Sequence, residues 1–313
     1  MPIATKRKQE KIATPIVEEP APLPLLEEQA PKPKVTALIF SYDNAPGLRR
    51  CLTALENSND RQFLEILVVD AGSHDESPGM DSEFSNITIL RLPRYFGRTK
   101  ALNIGTRTAA GEFLFFLTPE VEVMPTTIPS LLARLESDSE AAATCPLVLD
   151  TDAKPADQFY RLPTPESGAT LVPQPIDKAA EAAEVEYATF RAFLIRKYFV
   201  KGINYLDERY GDFGGDAEVC WQIRRTGKKT LVLPRVTALH TPLRAEYSAS
   251  AQTLLDADRI HGTAVYFGKH YGFLSGLTFR VKSILNALFT LRLSLFMSLV
   301  TGTKIDGSQS TIL

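Results

Sequence analysis

The 313 residues contain three cysteines, Cys51, Cys145 and Cys220, and no two of them form a C-x-x-C pair. This excludes a disulfide framework or a cysteine zinc site as the organising device, and a reducing compartment is the simplest setting for such thiols. The chain also lacks a basic excess. Lys and Arg number 35 against 37 Asp and Glu, a net charge of −2, so nothing marks a partner of nucleic-acid phosphates. Neither GxxxxGK[ST] nor GxGxxG follows the first apolar run, which disfavours a P-loop kinase and a dinucleotide enzyme, and no GxSxG elbow supplies a hydrolase nucleophile. Lys6, Arg7 and Lys8 precede no apolar stretch of the kind a secretory signal needs, so the cytoplasm is the expected location. Histidines number four. His240 alone ends an expected strand, and His74, His261 and His270 read as surface residues.

What is present is a globular composition, 44% hydrophobic and 23% charged, with length enough for one large domain or two ordinary ones. Residues 1–34 hold seven of the 21 prolines and read as a disordered tail. From Val35 the runs VTALIFS, LEILVVD, ITILRL and EFLFFL read as strands, LEILVVD being too continuously apolar to be half-exposed, and helical patterns alternate with them. Leu48, Cys51, Leu52 and Leu55 share one helical face. The alternation predicts an α/β fold with a mostly parallel central sheet flanked by helices. A domain over 35–245 is expected, with an irregular Pro-rich loop at 150–183, a further strand at 185–195 and a helical segment at 246–313.

Acids cluster where such sheets bind ligands, at the C-terminal ends of strands: Asp43 with Ser41 and Tyr42, Asp70 near Ser73 and Asp75, and Glu120 with Glu122. Arg94, Arg98, Lys100 and Arg107 follow the third strand, at a helix start suited to anions. Acids and cations together suit a metal-assisted diphosphate site; the bland alternative is a set of surface ion pairs. In Gly214-Gly215-Asp216-Ala217-Glu218-Val219-Cys220-Trp221, two glycines present Asp216 at a helix mouth, as a general base or as an ordinary cap.

Four stretches in order, VTALIFSYDN, EILVVDAGSHDES, YFGRTKALNIGTRTAAGEFLFFLTPEVEV and YLDERYGDFGGDAEVCWQIRRTGKKTLVLPRVTALH, resemble the family 2 glycosyltransferases, inverting enzymes of the GT-A fold. The likeness covers about residues 34–245. RLPTP at 161–165 resembles a segment of the bacterial branch that includes rhamnosyltransferases of cell-surface polysaccharide synthesis. The resemblance implies that Ser41, Tyr42, Asp43, Asp70, Ser73, Arg98 and Lys100 bind a dTDP- or UDP-linked sugar. It implies Glu120 and His240 as ligands of Mg²⁺ or Mn²⁺, Asp216 as the catalytic base, and Glu218, Arg191 and Trp221 on the side of a glycan or lipid-linked acceptor. The chain departs from the family pattern at Thr118-Pro119-Glu120, at Gly215, where a Glu is usual, and at Phe190-Arg191-Ala192. Those departures motivate a second expectation, a catalytically degenerate binding module in polysaccharide assembly. A nucleotidyltransferase is disfavoured, because SYDNAPG is a poor phosphate loop.

Residues 259–304 hold six Lys or Arg and no acid. Within them 283–303 is apolar but interrupted by Arg292, so the uncharged stretches are too short to span a bilayer. Ser283, Asn286, Thr290, Ser294, Ser298 and Thr301 form a weakly polar stripe at helical spacing. The spacing predicts either one amphipathic helix in the headgroup region at the inner face of the membrane, or a helix packed on the domain.

Overall fold

The computed structural model describes residues 32–242, 248–303 and 305, all within the compact unit Lys32–Leu313. The tail expected over 1–34 therefore lies, except for its last three residues, outside the described residues. The chain runs β1 (Val35–Ser41), α1 (Ala45–Glu56), β2 (Leu64–Asp70), β3 (Ile87–Arg91), α2 (Arg98–Thr108), β4 (Phe113–Leu117), β5 (Val121–Val123) and α3 (Thr127–Ser137). It continues through β6 (Ala141–Leu149), β7 (Phe159–Tyr160), β8 (Ala183–Val185), β9 (Tyr187–Ala188), β10 (Ala192–Arg196), α4 (Lys197–Gly202), α5 (Gly215–Arg225) and β11 (Lys229–His240). Three helices end it: α6 (Ala249–His270), α7 (Phe273–Phe289) and α8 (Leu293–Thr301).

A nine-stranded sheet has the order β3-β2-β1-β4-β10-β6-β11-β5, with β8 on β11. β3, β2, β1 and β4 are mutually parallel, and β6 and β11 share their direction across the reversed β10, so six of the nine strands run one way. Alternate residues face opposite sides. Leu38, Val69 and Phe116 join one core with Leu102 of α2 and Val219 and Ile223 of α5, while Ile39, Val68 and Phe115 join the other with Leu52 of α1 and Leu131 of α3. The buried face of α1 is the one its periodicity predicts, and the Asn44 side chain caps that helix by accepting from Gly47 N at 3.1 Å.

This topology gathers the site. Ser41 pairs with Asp70 in register, so β1 and β2 end together. β10 runs antiparallel to β4 with Ala192 opposite Leu117, which brings Arg191 to the edge where β4 ends. The Thr118 amide donates to the Arg191 carbonyl at 3.1 Å.

Two expectations are corrected here. The single strand at 185–195 is three pieces, because the chain leaves the main sheet after Val185, pairs β9 with β7 in a separate two-stranded sheet, and re-enters as β10. The single helix over 283–303 is broken: Leu291 adopts φ 56°, and α7 and α8 fold back on each other around it. Among the described residues no helix is long and apolar enough to cross a membrane.

Candidate active site

The loops that follow β1 and β2 are joined by polar contacts. The Asp43 amide donates to Ser73 Oγ at 2.9 Å, and its carboxylate accepts from the His74 amide at 2.6 Å. Asp70 is buried. Burial raises its pKa against the hydrogen bonds from Ser73 and Gly72, and its Oδ1 has no hydrogen-bond partner. A buried acceptor left unpaired is costly unless a ligand completes it. The Tyr42 ring meets Tyr95 edge-on at 4.8 Å, and burial, then the charge of Asp43, pushes its hydroxyl up to about 12.

Two cavities adjoin. One, of about 410 Å³, runs from Phe40, Tyr42, Asn44 and Tyr95 to Arg98, Glu120 and Asp212. The other, of about 490 Å³, shares Arg98, Thr118, Glu120, Asp212, Phe213 and Arg259 and continues to Asp157, Tyr187, Arg191, Asp216, His240 and Tyr266. The ends of β4 and β11, the start of β10 and the mouth of α5 thus face one space.

Asp216 owes its place to its neighbours. Gly214 sits at φ 99°, and a Cβ there would lie 2.8 Å from the Tyr210 ring, so glycine is needed before the helix. At Gly215 a Cβ would meet Thr99 Oγ1 at 3.1 Å. Asp216 is the second residue of α5, where the helix dipole favours an anion, and it accepts from the Ala217 amide at 2.9 Å. The buried Tyr187 hydroxyl is held well above its ordinary pKa by burial, then by the charge of Asp216 and a hydrogen bond to it.

Cations line the same space. Arg98 opens α2; its amide donates to Asp212 Oδ1 at 2.7 Å, its Nη2 to the Phe190 carbonyl at 3.2 Å, and its buried Nε has no partner. Burial lowers the pKa of Arg191, opposed by the charges of Tyr160, Glu120 and Asp157. Burial and the charge of Arg191 lower the pKa of His240, keeping its imidazole neutral at pH 7. Glu120 accepts from Asn44 Nδ2 at 2.7 Å. Glu120 and His240 fit a divalent cation as a partial ligand set, a carboxylate and a neutral imidazole. Among the described residues no group of three or more His, Cys, Asp or Glu could hold a metal ion, so further ligands have to come from phosphate or water.

Sequence reasoning missed Asp212 and Asp258. Asp212 accepts from the Tyr95 hydroxyl at 2.5 Å, and its own amide donates to Asp258 Oδ2 on α6 at 2.8 Å. Burial, then the charge of Asp212, raises Asp258 to about 7, against hydrogen bonds from the backbone of Asp212, Ile305 and Phe213. A carboxyl whose folded pKa is raised holds its proton longer in the folded state, so stability falls as pH rises from about 4 to about 7. Asp258→Asn is expected to flatten that decline in melting temperature, measured by calorimetry between pH 4 and pH 8.

Glu218 and Trp221, expected on the acceptor side, line neither cavity. At 100° per residue Glu218 stands about 200° from Asp216 on α5 and so faces away. It is buried between His270 Nε2 at 2.5 Å, Lys269 Nζ at 2.8 Å, Gln222 Nε2 at 2.8 Å and the Tyr210 hydroxyl at 3.1 Å. Trp221 stacks on His270, ring centroids 3.8 Å apart. His270, expected at the surface, is therefore a buried partner of α5. Lys100 lies over the Phe96 ring at 4.7 Å; of the residues expected to hold the nucleotide sugar, Tyr42 and Arg98 line the two cavities, whereas Ser41, Asp43, Asp70, Ser73 and Lys100 do not. Arg259, Gly262, Thr263 and Tyr266 of α6 form part of the cavity wall, beyond the boundary expected at 245.

The sequence model of one family, described as glycosyl transferase family 2, matches residues 36–203. An undecaprenyl-phosphate 4-deoxy-4-formamido-L-arabinose transferase of Klebsiella pneumoniae is 30% identical over 119 residues, 36% of each chain, so the match spans little more than a third of that relative's length. Among solved structures, GalNAc-T7 with UDP, GalNAc and Mn²⁺ superposes with a TM-score of 0.56 at 19% identity, over 68% of this chain and 45% of that one. Staphylococcus aureus TarS 1–349 with UDP-GlcNAc gives 0.54 at 16%, over 85% and 81%. The Pyrobaculum calidifontis mannosyltransferase PcManGT with GDP-Man and Mn²⁺ gives 0.53 at 15%, over 87% and 83%. At these identities the likeness is one of architecture, the GT-A fold.

Proposed function

This chain belongs to glycosyl transferase family 2, and from that premise we infer that it moves a hexosyl or rhamnosyl unit from a nucleoside-diphosphate sugar to an acceptor hydroxyl, with inversion. The observation that carries the reading is the joining of two cavities at Arg98 and Glu120, with Asp216 on the wall of the larger. The base and ribose go to the smaller cavity at Tyr42, beside the strand-end loops that carry Ser41, Asp43 and Asp70, where the unpaired Asp70 Oδ1 accepts from the base. The diphosphate lies against Arg98 and Arg191, and the sugar fills the larger cavity.

Displacement then needs little more than alignment. Asp216 accepts the acceptor's proton as its oxygen forms the new bond to the anomeric carbon on one face, while the bond to the diphosphate breaks on the other. Arg98 and Arg191 stabilise the charge gathering on the leaving oxygen in a site partly closed to water. A divalent cation held by Glu120 and His240 supplies further positive charge to that diphosphate when bound. We place the acceptor in the glycan or lipid-linked class and the work at the inner face of the membrane; the Klebsiella relative, an undecaprenyl-phosphate transferase by name, supports that placement.

The test is a donor screen. UDP-, dTDP- and GDP-sugars are offered with a polyprenyl-phosphate acceptor and Mn²⁺, and released nucleoside diphosphate is read by mass spectrometry. One donor class is expected to turn over. A chain that binds none of them by calorimetry is a binding module instead.

A further inference from the structure

The exposed large apolar side chains gather on the last two helices. Along α7, Leu274, Leu277, Val281, Leu285 and Leu288 are all exposed and recur every three or four residues, one continuous stripe on a helix about 25 Å long. On α8, Leu293, Met297 and Val300 repeat the pattern. Phe289 and Leu291, at the corner between the helices, are 79% and 80% exposed. The opposite faces are spoken for: Gly276 of α7 lies against Gly268 of α6, where a Cβ would come within 2.8 Å of the backbone, and Leu295 and Leu299 of α8 are buried with Ala257 and Ala287. These helices are apolar on both sides, and among the described residues only one side is covered.

Charge says what covers the other. Arg280 and Lys282 stand about 100° to either side of the α7 stripe's midline; Lys282 is exposed, and Arg280 is half-buried with its Nη2 donating to the Leu299 carbonyl of α8 at 3.2 Å. α7 and α8 contain no acidic residue. The acid that reaches Arg292 is Asp256 of α6, at 2.5 Å. Apolar side chains rimmed by cations suit the headgroup region of an anionic bilayer: the stripe enters the acyl boundary and the long cationic side chains reach back to phosphate.

The hairpin also touches the site. α6 carries it and lines the larger cavity with Gly262, Thr263 and Tyr266. The loop before β8 meets α7 where Gly168 lies by Phe279, and the Tyr271 hydroxyl donates to the Pro163 carbonyl at 3.1 Å; Pro163 and the exposed Leu171 of that loop line the same cavity.

We propose that α7 and α8 form an in-plane docking face for an anionic bilayer, which sets the mouth of the larger cavity at the headgroup level, where a lipid-borne acceptor arrives. The part about the acceptor rests on the transferase reading; the docking itself does not.

The test is flotation of the full chain with phosphatidylglycerol-containing vesicles and with phosphatidylcholine vesicles, alongside donor binding by calorimetry. The wild type is expected to float with the anionic vesicles. Val281→Glu with Leu285→Glu, two exposed changes that leave the melting temperature in place, is expected to lower the bound fraction about tenfold or more. Lys282→Glu is expected to weaken binding about fivefold or more on anionic vesicles at low salt, and little on phosphatidylcholine. A monomeric wild type that stays with the soluble fraction on both vesicles overturns docking, even if it turns donor over. A stable dimer in solution that the double variant dissociates puts a second copy on this face and also overturns it. A chain that floats but binds no donor supports docking and overturns the transferase reading alone.

Discussion

Asp216→Asn is expected to lower kcat by about 10³-fold, close to 4 kcal/mol of barrier, with the donor's Kd unchanged. Asparagine keeps an oxygen for the Ala217 amide, so the mouth of α5 survives the change. What it loses is the capacity to take a proton. The split is therefore diagnostic: if Asp216 only caps α5, asparagine leaves turnover and melting both in place, whereas a base costs turnover and leaves donor binding and melting in place. Released nucleoside diphosphate under saturating donor, with calorimetry on the same preparation, reads both. Turnover within tenfold of wild type would remove Asp216 from the base role.

The second large effect is on stability. Glu218→Leu is expected to cost about 3–5 kcal/mol in urea unfolding, because it leaves Lys269 and His270 facing a buried site without the carboxylate they share. Glu218→Gln, which keeps one acceptor oxygen, should cost less. Burial by itself would raise the Glu218 pKa, but hydrogen bonds from His270, Lys269 and Gln222 outweigh it and hold the group at about 2. A depressed carboxyl contributes stability that is present above its unfolded value, near 4.5, and is lost as pH falls through the folded one. The wild type is thus expected to lose stability between about pH 5 and pH 2 more steeply than Glu218→Gln, measured by urea midpoints across that range. Equal slopes would mean that the network adds nothing on the acid side.

The same pair of residues shows what the sequence made legible. Buried parallel strands read as unbroken apolar runs, so β1, β2 and β4 stand out, and with them the acids at their ends. Asp216 is legible because glycines before a helix are a local signal. Helical pitch alone also separates Glu218 from Asp216. Glu218's charged partners Lys269 and His270, however, sit some fifty residues later on α6, and no local pattern announces a pairing at that distance. Arg191 reaches the site because β10 inserts, reversed, between β4 and β6, a tertiary choice that leaves no periodic trace. Arg259 lies in the helical segment expected after the domain, and Asp212, though inside the stretch around Gly214-Gly215, has its partners Tyr95 and Arg98 more than a hundred residues earlier.

The close approach of Gly215 to Thr99 has a consequence for how this protein can change. A Cβ at 215 would stand 3.1 Å from the Thr99 hydroxyl, so that side chain has to give by a few tenths of an ångström and the two positions are coupled. Thr99 follows Arg98 on α2 and Gly215 precedes Asp216 on α5, so this coupling joins the two helices that carry the site. Which neighbour the base can acquire at 215 therefore depends on what stands at 99.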